Sequence, residues 1–446
     1  MRYESYKSSG VAWLGEIPEH WDLIPTRGLL RESKKVVGKN FSQYTLLSLT
    51  LNGIIARDMK NMKGKFASDM SSYQVVQKGD FIFCLFDVDE TPRTVGLSSI
   101  DGMITGAYTV LKCLKPESSK FIYFYYLAMD NNKSFKPLYT GLRKVIPKPS
   151  FMGAKIPFPP FEEQKAIVRY LSFYEHKINK AIHVKKKLIA TLGEQKQAII
   201  AHAVTKGVDL HVKMKPSDIS WLSEIPEHWD SKYLGACFSE RREKVSDKIF
   251  KALSVTKKGI VPQLETAAKS NAGDNRKKVL KGDFVINGRS DRKGSSGISY
   301  LDGSVSLINI VLKPKELFLS KYTHYLLRSV PFQEEYYRNG KGIVADLWST
   351  NISEMRKILL PIPPLEEQKA IVDFIEQETA AIDKAIELSK KEIELLEEYK
   401  TRLIADVVTG AVDVRKEAQN LPQIEEDSTA FESEAYEAEE EEISDE

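Results

Sequence analysis

The string EIPEHWD, running from Glu16 to Asp22, returns unchanged from Glu224 to Asp230, and EEQKAIV, from Glu162 to Val168, returns unchanged from Glu366 to Val372. The copies lie 208 residues apart in the first case and 204 in the second. A chain of 446 residues therefore holds two half-chains on one plan. Self-similarity at so long a period has to be settled before elements are assigned. Weaker matches fall between the strong ones in the same order. Lys78-Gly79-Asp80-Phe81-Ile82 answers Lys281-Gly282-Asp283-Phe284-Val285, and Leu114-Lys115-Pro116 answers Leu312-Lys313-Pro314. Val204-Thr205 answers Val408-Thr409, and Asp209 answers Asp413. Between these anchors the residues diverge, so the halves share a frame and differ in their surfaces.

Outward from the anchors, 1–155 and 216–360 read as two mixed α/β domains. Gly-Asp before an apolar run marks a turn entering a strand, as at Asp80–Phe86 and Asp283–Asn287; Phe41–Leu49 also has strand composition. The aromatic segments after each Leu-Lys-Pro read as short helices with a buried face. Pro157-Phe158-Pro159-Pro160 and Pro361-Ile362-Pro363-Pro364 stop the domains. Each stop leads into a long stretch of helix formers, 161–205 and 365–409. Proline at a helix start costs little, because that N–H has no internal partner, and the paired glutamates that follow suit the positive end of the dipole.

Heptad spacing places Ile167, Leu171, Ile178, Leu188, Leu192 and Ile199 on one stripe of the first helix. It places Ile371, Ile375, Ile382, Leu396 and Leu403 on the second, with Lys185, Ser389 and Glu392 interrupting the seams. Two apolar stripes in one chain predict an antiparallel coiled-coil pair, a spacer of roughly 60 Å at 1.5 Å per residue. The expected plan is thus domain, helix and connector (156–215), domain, helix and end segment (361–416), then an acidic tail (417–446).

That tail hides an asymmetry of charge. The whole chain is formally +3, but its last thirty residues hold thirteen acids and no Lys or Arg, which leaves +16 on the remainder. A basic body is compatible with a polyanion partner, whereas the tail has the composition of a solvated, disordered segment. Cys84, Cys113 and Cys237 are too far apart for a metal knuckle and read as reduced thiols. No run of about eighteen apolar residues is present, and the first ten residues lack a signal-peptide core. Cytoplasm is the expected location, with no membrane partner.

Catalytic patterns are missing. There is no GxxxxGK[ST], no GxGxxG and no HExxH, and the Pro-Pro pairs precede helices instead of sitting in a methyltransferase loop. His20 and His228 are repeat-matched but lack a cysteine or carboxylate cluster at metal spacing, so packing at the start of each domain is their expected role. Asp80 and Asp283 are read as turn residues. No catalytic or metal site is expected.

Paired IPEHW strings, paired KGDF strands and paired proline–EEQKAIV helix starts, spread over nearly the whole chain, resemble the DNA-specificity subunit of type I restriction-modification systems. The resemblance implies two pseudo-twofold-related target-recognition domains, each reading one half of a bipartite, asymmetric target in double-stranded DNA. It implies long helices that separate the domains and hold methyltransferase subunits, two of them by the repeat, with restriction/translocase subunits completing the complex. The subunit itself then binds no cofactor; S-adenosylmethionine, ATP and Mg belong to its partners. The alternative is a solitary DNA-binding or scaffolding protein of the same architecture.

Base reading needs donors and acceptors at base edges, and arginine suits guanine as asparagine suits adenine. The loop after the second KGDF strand therefore supplies Asn287, Arg289, Ser290, Arg292 and Lys293 as candidates. Its first-domain counterpart is acidic (Asp87, Asp89, Glu90), leaving Arg93 and Thr94. The basic runs Lys60, Lys63, Lys65 and Arg276, Lys277, Lys278 are candidates for phosphate contacts.

Overall fold

A computed structural model describes residues 2–57, 69–264, 273–289, 292–341 and 349–422. The chain forms two compact units: residues 1–186 with 390–446, and residues 187–389. The divisions fall inside both long helices, Phe161–Lys206 and Leu365–Val408, so each helix gives one half to each unit.

The units repeat one topology. In the first, a hairpin of Tyr6–Ser8 and Glu16–Pro18 opens the fold, and Asp22–Pro25 pairs with the last strand, Lys155–Phe158. Between them lies a four-stranded antiparallel sheet ordered Leu30–Glu32, Thr109–Cys113, Phe81–Phe83, Val95–Leu97. In the second, Met214–Pro216 pairs with Glu224–Pro226, and Asp230–Tyr233 with Leu359–Ile362. Its sheet runs Phe238–Glu240, Asn309–Pro314, Phe284–Asn287, Ser296–Ile298, the same order strand for strand.

The KGDF strands are buried on both faces, and their period of two divides the core. Phe81 and Phe83 point to the layer shared with the helices, while Ile82 points to a smaller layer under the hairpin Leu47–Thr50/Gly53–Ala56. Phe284 and Ile286 against Val285 repeat the division. The aromatics of the helix Ser119–Asn131 are core: Phe121, Phe124, Tyr125 and Tyr126 are all buried. Phe41 to Leu49 is only partly strand. Residues Gly38–Gln43 form a 3-10 turn and the strand begins at Leu47, because the polar Asn-Phe-Ser-Gln stretch offers no alternating face.

Within each unit the two long helices run antiparallel. In the first unit Lys185 pairs with Glu392, and Lys400 Nζ donates to Asn179 Oδ1 at 3.0 Å, so one number rises as the other falls. Two of the three residues read as seam interruptions, Lys185 and Glu392, are thus each other's partners. In the second unit Lys196 pairs with Asp383, and Ile200, Ala203 and Val204 share a core with Ile371, Val372 and Ile375.

The register differs from the heptad reading. Ile167, Leu171, Ile178, Ile371, Ile375 and Ile382 are buried and Leu192, Ile199, Leu396 and Leu403 half-buried, but Leu188 is exposed. The inward positions recur every eleven residues: Ile167, Ile178, Ile189, Ile200 on one helix and Ile371, Ile382, Ile393, Ile404 on the other. Eleven residues in three turns is about 3.67 per turn, close to the natural 3.6, so this face stays in line while a strict heptad slot rotates outward. Ile189, half-buried, takes the place assigned to Leu188.

The ordered chain runs past the start assigned to the acidic tail. A short helix, Arg415–Gln419, buries Ala418 in the first unit. The rest of the tail, 423–446, lies outside the described residues.

Candidate nucleic-acid interface

Three of the duplicated strings meet at one place in each unit. Glu163, in the first turn of its helix, accepts a hydrogen bond from Trp21 Nε1 at 3.0 Å and contacts His20 Nε2 at 2.8 Å. Glu367 repeats this with Trp229 Nε1 at 3.0 Å and His228 Nε2 at 2.7 Å. Both indoles are fully buried. The neighbouring glutamine ties the helix start to the proline stop: Gln164 Nε2 donates to Pro159 O at 2.8 Å and Gln368 Nε2 to Pro363 O at 3.0 Å. The third string is the far end of the other long helix. Gly410 ends the second helix at φ +80° against Pro18 and Trp21; Gly207 ends the first at φ +79° against Glu367 and Trp229. Left-handed backbone after the last helical turn favours glycine. The motifs of the repeat are therefore a clasp that fixes each domain to one end of each helix, and the two histidines are explained as part of it.

Asp80 and Asp283 serve the turns read for them. Asp80 Oδ2 accepts from the Gln77 N–H at 2.9 Å, and Asp283 Oδ2 from the Leu280 N–H at 2.8 Å. Asp283 also takes Arg241 in two hydrogen bonds, at 2.6 and 3.0 Å. Among the described residues no three His, Cys, Asp or Glu side chains come together in a way that could hold a metal ion.

Several expected DNA contacts are internal to the fold. Arg93 Nη1 donates to Asn131 Oδ1 at 2.8 Å and Asp130 Oδ2 at 3.2 Å. Thr94 is buried, with its N–H at 2.9 Å and its hydroxyl at 2.6 Å from the same Asp130 carboxylate. These two residues satisfy a buried acid that also takes Lys133 at 2.8 Å. Arg276 is buried as well, donating to Ser304 Oγ at 2.9 Å and Ser304 O at 3.1 Å, and burial pushes its guanidinium below the usual range. It sits on the strand Arg276–Val279, where what looked like a basic run is buried at Arg276 and half-buried at Lys277 and Lys278. Lys277 Nζ donates to Asn309 O at 2.8 Å and Lys278 Nζ to Glu243 Oε1 at 2.9 Å. Asn287 is buried, its Oδ1 accepting from the Arg289 N–H at 3.1 Å. Thr94 and Arg276 are thus structural and not base or phosphate contacts, because burial has already given their polar atoms partners, and Asn287 is buried with its Oδ1 taken by the loop backbone. Lys60, Lys63, Lys65 and Ser290 lie outside the described residues.

What stays on the surface is a pair of loop clusters. In the second domain Arg289, Arg292 and Lys293 are exposed; the Arg289 backbone bridges Ser349, and Lys293 Nζ lies 2.5 Å from Glu334. In the first domain the acidic loop is tied to the hairpin 140–145. Asp87 pairs with Arg143, and Asp89 lies 2.6 Å from Lys144 Nζ and 3.7 Å from Lys136 Nζ. These ion pairs hold the Asp87 and Asp89 carboxyls below the usual range. Reading the chain missed Asp130, Arg143 and Lys144 because their partners are 36 to 56 residues away in sequence. The only local signal was two acids in one loop and two cations in a later one.

The family model for the type I restriction modification DNA specificity domain matches residues 100–188 and 235–398. The chain is 26% identical to the putative type I restriction enzyme MjaX specificity subunit of Methanocaldococcus jannaschii, over 92% of this chain and 97% of that one. It is 29% identical to the type I restriction enzyme MjaVIII specificity subunit of the same organism, over 62% of this chain and 66% of that one. In fold it is similar to a chain from a structural study of complex assembly and conformational transition of the type I R-M system, with a TM-score of 0.58 at 14% identity, covering 89% of this chain and 99% of that one. No helix among the described residues is long and apolar enough to cross a membrane. With the duplicated clasp, the paired domains and a family model matching more than half of its residues, this chain belongs to the type I restriction-modification DNA specificity family.

Proposed function

We propose that the chain is the non-catalytic sequence-reading subunit of a type I complex. Each domain reads one half of a bipartite, asymmetric duplex, and the subunit assembles two methyltransferase subunits together with restriction subunits. The observation that carries this reading is the contrast between an identical frame and divergent loop clusters. A symmetric target would need two alike surfaces, whereas here the loop of one cluster carries Arg289, Arg292 and Lys293 and the matching loop of the other carries Asp87, Asp89 and Glu90. Exposed arginine and lysine supply phosphate and guanine contacts in the second domain. The surfaces that the halves share serve partners present in two copies. Glu162 and Lys165 are exposed and recur as exposed Glu366 and Lys369 beside the clasp, where packing does not demand their identity. S-adenosylmethionine, ATP and Mg act on the partner subunits.

Replacing residues 22–156 with the same region of a relative, then mapping methylated sites in cells carrying the full complex, tests the reading. One half of the target should change and the other stay. A folded, active chimera with both halves changed, or neither, overturns it.

A further inference from the structure

The hairpin 140–145 presents Leu142 with a relative exposure of 102%, more than any other large apolar residue described. Nothing packs on it, yet the backbone beneath is held on every side. Thr140 and Val145 exchange backbone hydrogen bonds at 2.8 and 3.0 Å, and the Asp87 N–H donates to Arg143 O at 2.9 Å. Asp87 grips the Arg143 guanidinium in two hydrogen bonds, and Asp89 takes Lys144. The arrangement uses non-glycine residues in left-handed backbone on both sides of the contact, Asp87 at φ 47° and Lys144 at φ 45°. Such conformations are costly for non-glycine residues and persist only where the surroundings enforce them. A strained, doubly clamped loop that displays one leucine to water lowers the stability of the free chain twice, through strain and through exposed apolar surface.

We infer that Leu142 is an apolar probe for the DNA groove, seated against a thymine methyl or between base steps in the half-target read by the first domain. This rests on the proposed function. The chemistry around the tip favours duplex DNA over a protein partner. Arg143 and Lys144 follow Leu142 directly in the chain, and with Lys136, which shares Asp89 with Lys144, they keep side chains 70%, 43% and 63% exposed, available to phosphate. Apolar residues with flanking cations are the means by which proteins wedge into a groove, and contact with the thymine methyl discriminates it from cytosine. Solvent-exposed ion pairs are weak, so Asp87 and Asp89 can hold the cations in place without preventing their transfer to phosphate. The clamp fixes the probe before binding, which removes the ordering cost that a free loop would meet on the DNA.

The test selects from a pool of random-sequence duplexes with the full chain in its assembled complex, as wild type, Leu142→Ala and Leu142→Met. Wild type should enrich a two-part motif. Leu142→Ala should keep one part intact and lose preference at one or two adjacent positions of the other, with affinity for the wild-type motif down roughly tenfold. Leu142→Met, which keeps an apolar tip of similar length, should restore most of it. Thermal stability and partner assembly should not change in either variant. An unchanged motif and affinity for Leu142→Ala overturns the inference, as does loss of partner assembly, which would place Leu142 in a protein interface. Failure of the wild type itself to enrich any motif would sink the underlying DNA reading instead.

Discussion

Glu163 and Glu367 accept a hydrogen bond from the same tryptophan nitrogen and meet the same histidine, yet 5% of the first side chain and 22% of the second is exposed. The difference comes from what lies over each clasp. In the first unit Tyr3 packs edge-on to Trp21 with ring centroids 5.8 Å apart, and Arg415, paired with Asp413, lies 5.0 Å over the Tyr3 ring. In the second unit the residue at the spacing of Tyr3 is His211, which is exposed. One set of motif residues thus has two energetic settings, and the setting is decided by residues outside the motif. Chemistry repeated in sequence is not burial repeated in structure.

The largest expected break in the comparison is Asp130→Ala. Asp130 has no repeat-matched partner and holds Arg93, Thr94 and Lys133 inside the first domain. Removing one member of a buried charge network costs about 3–5 kcal/mol. Hydrogen exchange should show the first domain opening while the second keeps wild-type protection. Equal loosening of both would mean the units do not unfold separately.

Next come the helix-ending glycines. A Cβ on Gly410 would stand 2.3 Å from Pro18 Cδ and 2.6 Å from Pro18 Cγ, against 3.0 Å from Glu367 Oε1 for a Cβ on Gly207. Proline carbon cannot yield as a carboxylate can. With the left-handed backbone added, Gly410→Ala should cost about 2–4 kcal/mol and Gly207→Ala about 1 kcal/mol. Denaturation of the two variants side by side checks the order, and the reverse order would mean that the second clasp is the more rigid.

Glu163→Ala and Glu367→Ala sharpen the same contrast. Each strips the acceptor from a buried indole N–H, a loss of about 1–3 kcal/mol where water cannot replace it. The better sealed Glu163 should sit at the upper end and Glu367 at the lower. Equal losses would show that Tyr3 and Arg415 do not exclude water from the first clasp.

A pH dependence that His324 confers on the second domain separates the two helices that follow the Leu-Lys-Pro anchors. Burial, with Arg328 and Lys196 nearby, lowers His324 to about 4. The fifth residue of the corresponding first-domain helix is Tyr123, raised by burial to about 12 and neutral throughout. Because the folded-state value of His324 lies below its unfolded value near 6.5, the unfolded chain binds the proton first. Stability from this group is fully present above pH 6.5 and is lost as pH falls from 6.5 toward 4. His324→Tyr should flatten that slope in the second domain, read as melting temperature or exchange protection over the window. An unchanged slope would assign the acid sensitivity to other groups.

The frame was legible because the repeat exposes it. One identical string located both long-helix starts, and the proline clusters join them to the strands Lys155–Phe158 and Leu359–Ile362. Heptads misplaced Leu188 because apolar positions were counted by class; the identity of the isoleucines, eleven apart on both helices, carries the register. The candidate site was less legible. Arg276 sits in a basic run but is buried on Ser304, and Arg93 stands in a loop but answers an acid on a helix 37 residues later. A charge is visible in sequence; whether burial has already assigned it a partner depends on contacts that the linear order does not show.

The clasp has a consequence for how the protein is made. Unit 2 is one continuous stretch, 187–389, and all its clasp residues, from Val204 to Gln368, emerge from the ribosome together. Unit 1 begins earlier in the chain yet lacks Ile404, Val407, Val408 and Gly410 until the end of the second long helix is translated, after all of unit 2. Loop closure over some four hundred residues separates its beginning from its end, as in the hydrogen bond that Tyr6 Oη donates to Gly410 O. Vectorial synthesis therefore inverts the order of completion: the second domain can close around its tryptophan while the first still exposes Ile17, Trp21 and Ile167. The waiting surface is the aggregation-prone one. Truncations near the C-terminus should damage the N-terminal domain before the one that precedes the cut.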